Sequence, residues 1–146
     1  YMTPLVVDDT HLYWGSVDGV HRMELHGNQS QMLCAVSGEV TAMALDGDSI
    51  YFAVAGRISK VSRLGGDPQV VGEGYGEVYD VVIGGDFIYF ADFRPDNNSG
   101  IYKMPRSGGD VISVMRDLAE PDIGAVDDDY IYWSDIREGT IFRGRR

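Results

Sequence analysis

His11, His21 and His26 are the side chains best suited to ligate a metal or move a proton near neutral pH. All three fall within the first 26 residues of a 146-residue chain, and neither a His-x-His nor a His-x-x-x-His spacing occurs. A zinc centre is therefore not expected. The single cysteine, Cys34, sits in the apolar run Met32-Leu33-Cys34-Ala35-Val36. With no partner for a disulfide and no evident base, it reads as a buried, unreactive thiol. There is no Gly-x-Ser-x-Gly elbow and no phosphate-binding loop. Asp127-Asp128-Asp129 is the densest carboxylate run. Calcium is the cation such a run raises, but the twelve-residue Asp-x-Asp-x-Asp-Gly loop is absent. No cofactor is expected, and the residues point to recognition rather than catalysis.

The residues that suit recognition lie in irregular segments. The main one is Asp92-Phe93-Arg94-Pro95-Asp96-Asn97-Asn98-Ser99-Gly100, which combines an aromatic, a charge pair and two amides. It reads equally as a solvated insertion. Glu73-Gly74-Tyr75-Gly76-Glu77 and Asp135-Ile136-Arg137-Glu138 are the other two. Tyr75, Phe93, Arg94, Asp96, Asn97, Asn98 and Arg137 form the expected binding set, with Tyr75 and Phe93 as aromatic anchors on an acidic rim that includes Glu120 and Asp122.

Charge narrows the partner. Twenty-three acidic and 12 basic residues give a net charge of −11, which disfavours nucleic acid and anionic membranes and favours a cation or a basic partner. No apolar run approaches the roughly 18 residues of a membrane span, so no membrane insertion is expected. The opening Tyr1-Met2-Thr3-Pro4 lacks the basic start and apolar core of a leader, as in a trimmed chain. Hydrophobic residues at 44% and charged residues at 24% are an ordinary globular balance.

The elements that must position these residues come from a repeat. A Tyr-aromatic pair recurs as Tyr13-Trp14, Tyr51-Phe52, Tyr89-Phe90 and Tyr132-Trp133, at spacings of 38, 38 and 43 residues. Five residues before each Tyr stand Asp8, Asp46, Gly84 and Asp127, and one residue before it Leu12, Ile50, Ile88 and Ile131. A second turn recurs as His26-Gly27-Asn28, Gly65-Gly66-Asp67 and Gly108-Gly109-Asp110. Between the turns, Ile58-Ser59-Lys60-Val61 and Ile101-Tyr102-Lys103-Met104 alternate as half-buried strands do. Each unit reads as four short strands, A to D. In the second unit they are predicted at 41–45, 50–55, 57–64 and 69–71. Four-stranded units repeating at about 40 residues are the signature of a β-propeller. The fold class is all-β: a β-propeller or part of one, with four antiparallel blades at about 1–36, 37–73, 74–116 and 117–146. On this reading the Tyr-aromatic pairs fill the gaps between blades, and the Asp before strand B ties the A–B turn by accepting backbone N–H bonds.

Asp127 through Tyr132-Trp133-Ser134-Asp135 resembles the YWTD repeat of the low-density-lipoprotein-receptor propellers and their bacterial relatives. Tyr89-Phe90-Ala91-Asp92 keeps the Tyr and the final Asp, whereas Tyr13-Trp14-Gly15-Ser16 and Tyr51-Phe52-Ala53-Val54 lack that Asp. The resemblance implies a ring of commonly six blades that recognises a protein or other ligand, and a secreted or periplasmic setting. It also implies that the final Asp bonds between blades. The fourth unit stops in strand C at 140–146, so its outer strand D is expected to be missing and the ring left open. Further blades, a second copy, or closure as four blades are the possible completions. The expected function is a non-enzymatic interaction scaffold, with B–C and D–A loops meeting a protein or small ligand. A metal-dependent propeller hydrolase or lyase, and a purely structural assembly module, are the alternatives.

Overall fold

The computed structural model describes residues 3–96 and 98–146; Asn97 lies outside the described residues. The described chain is all strand and turn. Blade one comprises β1 (Leu5–Val7), β2 (His11–Gly15), β3 (Gly19–Glu24) and β4 (Ser30–Ala35). Blade two comprises β5 (Val40–Asp46), β6 (Ser49–Val54), β7 (Arg57–Ser62) and β8 (Gln69–Glu73). Blade three comprises β9 (Glu77–Gly84), β10 (Phe87–Phe93), β11 (Ser99–Pro105) and β12 (Ile112–Leu118). Blade four comprises β13 (Pro121–Val126), β14 (Tyr130–Asp135) and β15 (Thr140–Arg145). Each sheet runs in chain order with antiparallel neighbours, and the fourth has three strands, with β15 at its edge.

Local chemistry explains the hairpins. Gly65-Gly66 and Gly108-Gly109 all have φ between 86° and 133°, a region that side chains with a Cβ rarely enter. At the A–B turn, Asp8 Oδ1 accepts the N–H groups of Thr10 and His11 at 2.8 and 2.7 Å. Asp127 Oδ1 accepts those of Asp129 and Tyr130 at 2.8 and 2.7 Å. The predicted turn chemistry is therefore present in blades one and four.

Strand alternation then divides the repeated aromatics between two faces. Tyr13 of blade one packs with Ile50 and Phe52 of blade two. Tyr51 packs with Ile88 and Phe90 of blade three, and Tyr89 with Ile131 and Trp133 of blade four. Each blade thus sends its Tyr forward and its Phe or Trp back, and three apolar layers join four sheets. Cys34 is buried in the first layer, and desolvation holds its thiol above the usual range.

Two ion pairs reinforce the joints. Arg63 of blade two donates to Asp8 Oδ2 of blade one at 2.7 Å, and Arg106 of blade three to Asp46 of blade two at 2.6 Å. Tyr13 also donates its hydroxyl to Asp8 Oδ2, at 3.0 Å, so one carboxylate ties a turn, a core tyrosine and the next blade together. Hydrogen bonds from Thr10 and His11 N–H and from Tyr13 hold Asp8 well below the usual carboxylate range.

Candidate functional site

Residues of the first strands β1, β5 and β9, among them Leu5, Thr41, Met43 and Asp80, line an open pocket of about 520 Å³. Beside it, between blades three and four, lies a cleft of about 390 Å³. Its apolar walls are Phe93, Pro121, Ile136 and the Tyr79 ring, and its acidic ones Asp80, Glu120 and Asp122. Alternation along β9 places Asp80 towards blade four, where its Oδ2 accepts the Ile123 N–H at 3.2 Å. Burial first, then the Asp122 carboxylate that hydrogen-bonds to it, raise the Asp80 carboxyl well above the ordinary range.

The expected binding residues divide. Phe93 lines the cleft, half-buried, with its ring 6.1 Å from that of Tyr79. Arg137 does not line the cleft itself; its Nε donates to Glu120 of the cleft wall at 2.9 Å. Arg94 folds back instead of reaching outward. Its Nε and Nη2 both donate to Asp92 Oδ2, at 3.0 and 2.8 Å. Asp96 accepts from the backbone and side-chain N–H of Asn98, so these two close the tip of the turn on themselves. Tyr75 turns inward: its ring lies 4.6 Å from that of Phe90, and its hydroxyl meets the Met104 sulfur. It packs against the layer between blades two and three. Asn97 lies outside the described residues.

The irregular segment of blade three is also shorter than its composition suggests. β10 continues through Phe93 and β11 starts at Ser99, with Asp92 opposite Gly100. The cause is Asp92, only 2% exposed, which accepts the Gly76 N–H at 2.6 Å as well as the Arg94 guanidinium. Ser99 closes the turn by accepting the Arg94 N–H at 2.9 Å. Asp135 plays the matching part in blade four, accepting from Ala119, Arg137 and Glu138 N–H. The Asp of blades three and four thus pins the connection from the preceding blade.

Sequence reasoning missed Tyr79 and Asp80 as site residues, and reached Ile136 only as part of the segment Asp135-Ile136-Arg137-Glu138. The available signal was Glu77-Val78-Tyr79-Asp80, a polar start to an otherwise apolar inner strand. Among the described residues, no three His, Cys, Asp or Glu side chains converge as a metal would require.

A stack of antiparallel four-stranded sheets joined face to face around an inner channel defines the β-propeller class. No family model and no curated protein matches the chain. Solved structures do. A chain in the crystal structure of a nidogen/laminin complex superposes with a TM-score of 0.77 at 18% identity, over 97% of this chain and 63% of its own length. This chain therefore spans less than two thirds of that one. The computationally designed Ika4 protein superposes with a TM-score of 0.74 at 12% identity, over 99% of this chain and 91% of its own. The WD40 propeller domain of Doa1 superposes with a TM-score of 0.62 at 13% identity, over 96% and 66%. These likenesses establish a β-propeller fold.

Proposed function

We propose that the protein is a non-catalytic recognition scaffold built from YWTD-type blades. Its cleft between blades three and four takes a protein segment that offers an apolar side chain beside a cationic one. The observation that carries this reading is Ile136, which is 63% exposed on the rim of a cleft that sets Phe93 and Pro121 beside the carboxyls of Asp80, Glu120 and Asp122. A large apolar side chain held in water beside a pocket is a contact surface awaiting cover. The Asp80–Asp122 wall supplies the complement for a Lys or Arg on the incoming segment, and the net charge of −11 draws such segments in. The nidogen/laminin structure is of a protein complex, which agrees with a protein ligand.

Peptide display against the purified chain tests this. Enriched peptides are expected to pair Lys or Arg with Leu, Ile or Phe. Ile136→Ser with Phe93→Ala should weaken the best of them at least tenfold, about 1.4 kcal/mol, without changing the far-ultraviolet circular dichroism. Enrichment of acidic peptides, or affinity untouched by the double change, would overturn the reading.

A further inference from the structure

Blade three departs from blades one and two along its outer strand. In all three blades the pairing of the third strand with the fourth slips once in the same row, just after Val20, Ile58 and Ile101. Blade three slips a second time. Ser99 faces Leu118 and Ile101 faces Met115, so Arg116 and Asp117 together stand opposite Gly100. The matching pairs elsewhere, Gly19 with Ala35 and Arg57 with Glu73, run on in register to Val20 with Cys34 and Ile58 with Gly72. An extra residue in one strand re-aims the side chains around it, and such bulges gather at sheet edges and beside functional sites. Gly100 makes the room: a Cβ there would lie 2.6 Å from the Met115 carbonyl oxygen and 3.1 Å from the Tyr102 ring.

Asp117 sits in this bulge with a φ of 58°. Among the described residues, the other non-glycine in that region is Ala55, at 48°. Ala55 belongs to the two-residue turn between β6 and β7, where a positive φ is required. Asp117 lies inside β12, with no turn to account for it. Asp enters this region more readily than most residues, yet the backbone is strained there, and such strain clusters at ligand sites. The bulge sets Arg116 and Asp117 beside Arg94, Asn98 and Tyr102, around a pocket of about 270 Å³. The pocket is on the blade-two side of blade three, because the Tyr102 ring stacks on Phe90 at 5.9 Å against the layer that those blades share. It is separate from the cleft that Ala91 and Phe93 line towards blade four.

We propose that this pocket binds a single sugar residue. Its polar groups are of both kinds. Arg116 spends only Nε within the described chain, on Ser113 Oγ at 3.0 Å, and Arg94 spends Nε and Nη2 on Asp92. Nη1 of Arg94 and both terminal nitrogens of Arg116 remain as donors. The acceptors are the Asp117 carboxylate, which has no bonded partner among the described residues, and the Asn98 side-chain oxygen, whose amide nitrogen is held by Asp96. A free anion would meet Asp117, and a free cation would meet the two arginines. Vicinal hydroxyls satisfy both, since each donates and accepts, and the C–H face of a sugar ring finds the Tyr102 ring. The volume falls below the roughly 300–1,000 Å³ of sites for drug-sized ligands, which suits one ring rather than a chain.

Saturation-transfer NMR of the whole chain with D-glucose, D-galactose, D-mannose, L-fucose and N-acetyl-D-glucosamine tests this, with inorganic phosphate and glycine as charged competitors. At least one of the sugars is expected to bind. Arg116→Ala and Asp117→Gly should each weaken that sugar about tenfold or more, and Asp117→Asn, which keeps an acceptor, should weaken it less. Asp117→Gly also relieves the strained φ, so its melting temperature should equal or exceed the parent's, which separates a lost contact from a lost fold. Failure of all five sugars to bind would overturn the proposal. So would an affinity unchanged in both Arg116→Ala and Asp117→Gly, or a sugar displaced by equimolar phosphate or glycine, which would make the site one for charged ligands.

Discussion

Asp80 changes its proton affinity on folding in the direction opposite to the turn carboxylates. Burial and the neighbouring Asp122 raise it from 3.8 to about 7, so between those values the folded chain keeps a proton that the unfolded chain has released. Its stabilising contribution is complete below the unfolded value and is lost as pH rises towards 7. Asp8, Asp96 and Asp127 are shifted down by hydrogen bonds, so their contributions disappear only as the medium becomes more acidic than the ordinary carboxylate range. The two effects occupy separate windows. Asp80→Asn keeps an oxygen acceptor for the Ile123 N–H and removes the titration. Urea unfolding at pH 5 and pH 8 should show the Asn variant losing less stability than the parent over that interval, and matching or exceeding it at pH 8. Parallel pH profiles for the two proteins would count against a raised Asp80.

At the scale of the element, the turn between β10 and β11 is held by its own salt bridge rather than left to solvent. Arg94 binds Asp92 through two nitrogens, and Asp92 in turn fixes Gly76, the residue before β9. Removing the carboxylate leaves a part-buried N–H and a guanidinium without their acceptor, and such losses cost about 2–3 kcal/mol. Asp92→Ala is therefore expected to lower the unfolding free energy by about that amount. Replacing residues 94–98 with a short Gly-Ser turn should cost less, since Gly76 keeps its acceptor. Thermal melts of both variants check the order; a loop replacement as damaging as Asp92→Ala would place the effect in the turn itself.

For the whole molecule, stability passes from blade to blade, as in other repeat proteins. Blades two and three have an apolar layer on both faces, whereas blades one and four have one each. In dilute solution, amide exchange should be slowest in β5–β7 and β9–β11 and faster in β1 and β15. Uniform exchange across the four blades would contradict this layered coupling.

The sequence by itself determined the blades. A Tyr-aromatic pair, an Asp five residues earlier and a Gly-rich turn downstream specify strand, register and hairpin, because these depend on neighbours in the chain and on a side-chain period of two. Only the tertiary structure decided how the blades meet. Arg63 reaches Asp8 across 55 residues and Arg106 reaches Asp46 across 60. The bond from Ile123 to Asp80 spans 43. These pairings depend on how one sheet rotates onto the next, which no local pattern encodes. For the same reason the expected site was only partly legible. Phe93 lines a cleft and Arg137 binds Glu120 of its wall; Arg94 is taken up by Asp92 two residues away, a local pairing that composition alone does not distinguish from an outward reach, and Tyr75 meets Phe90 of strand β10 only once the sheets have packed.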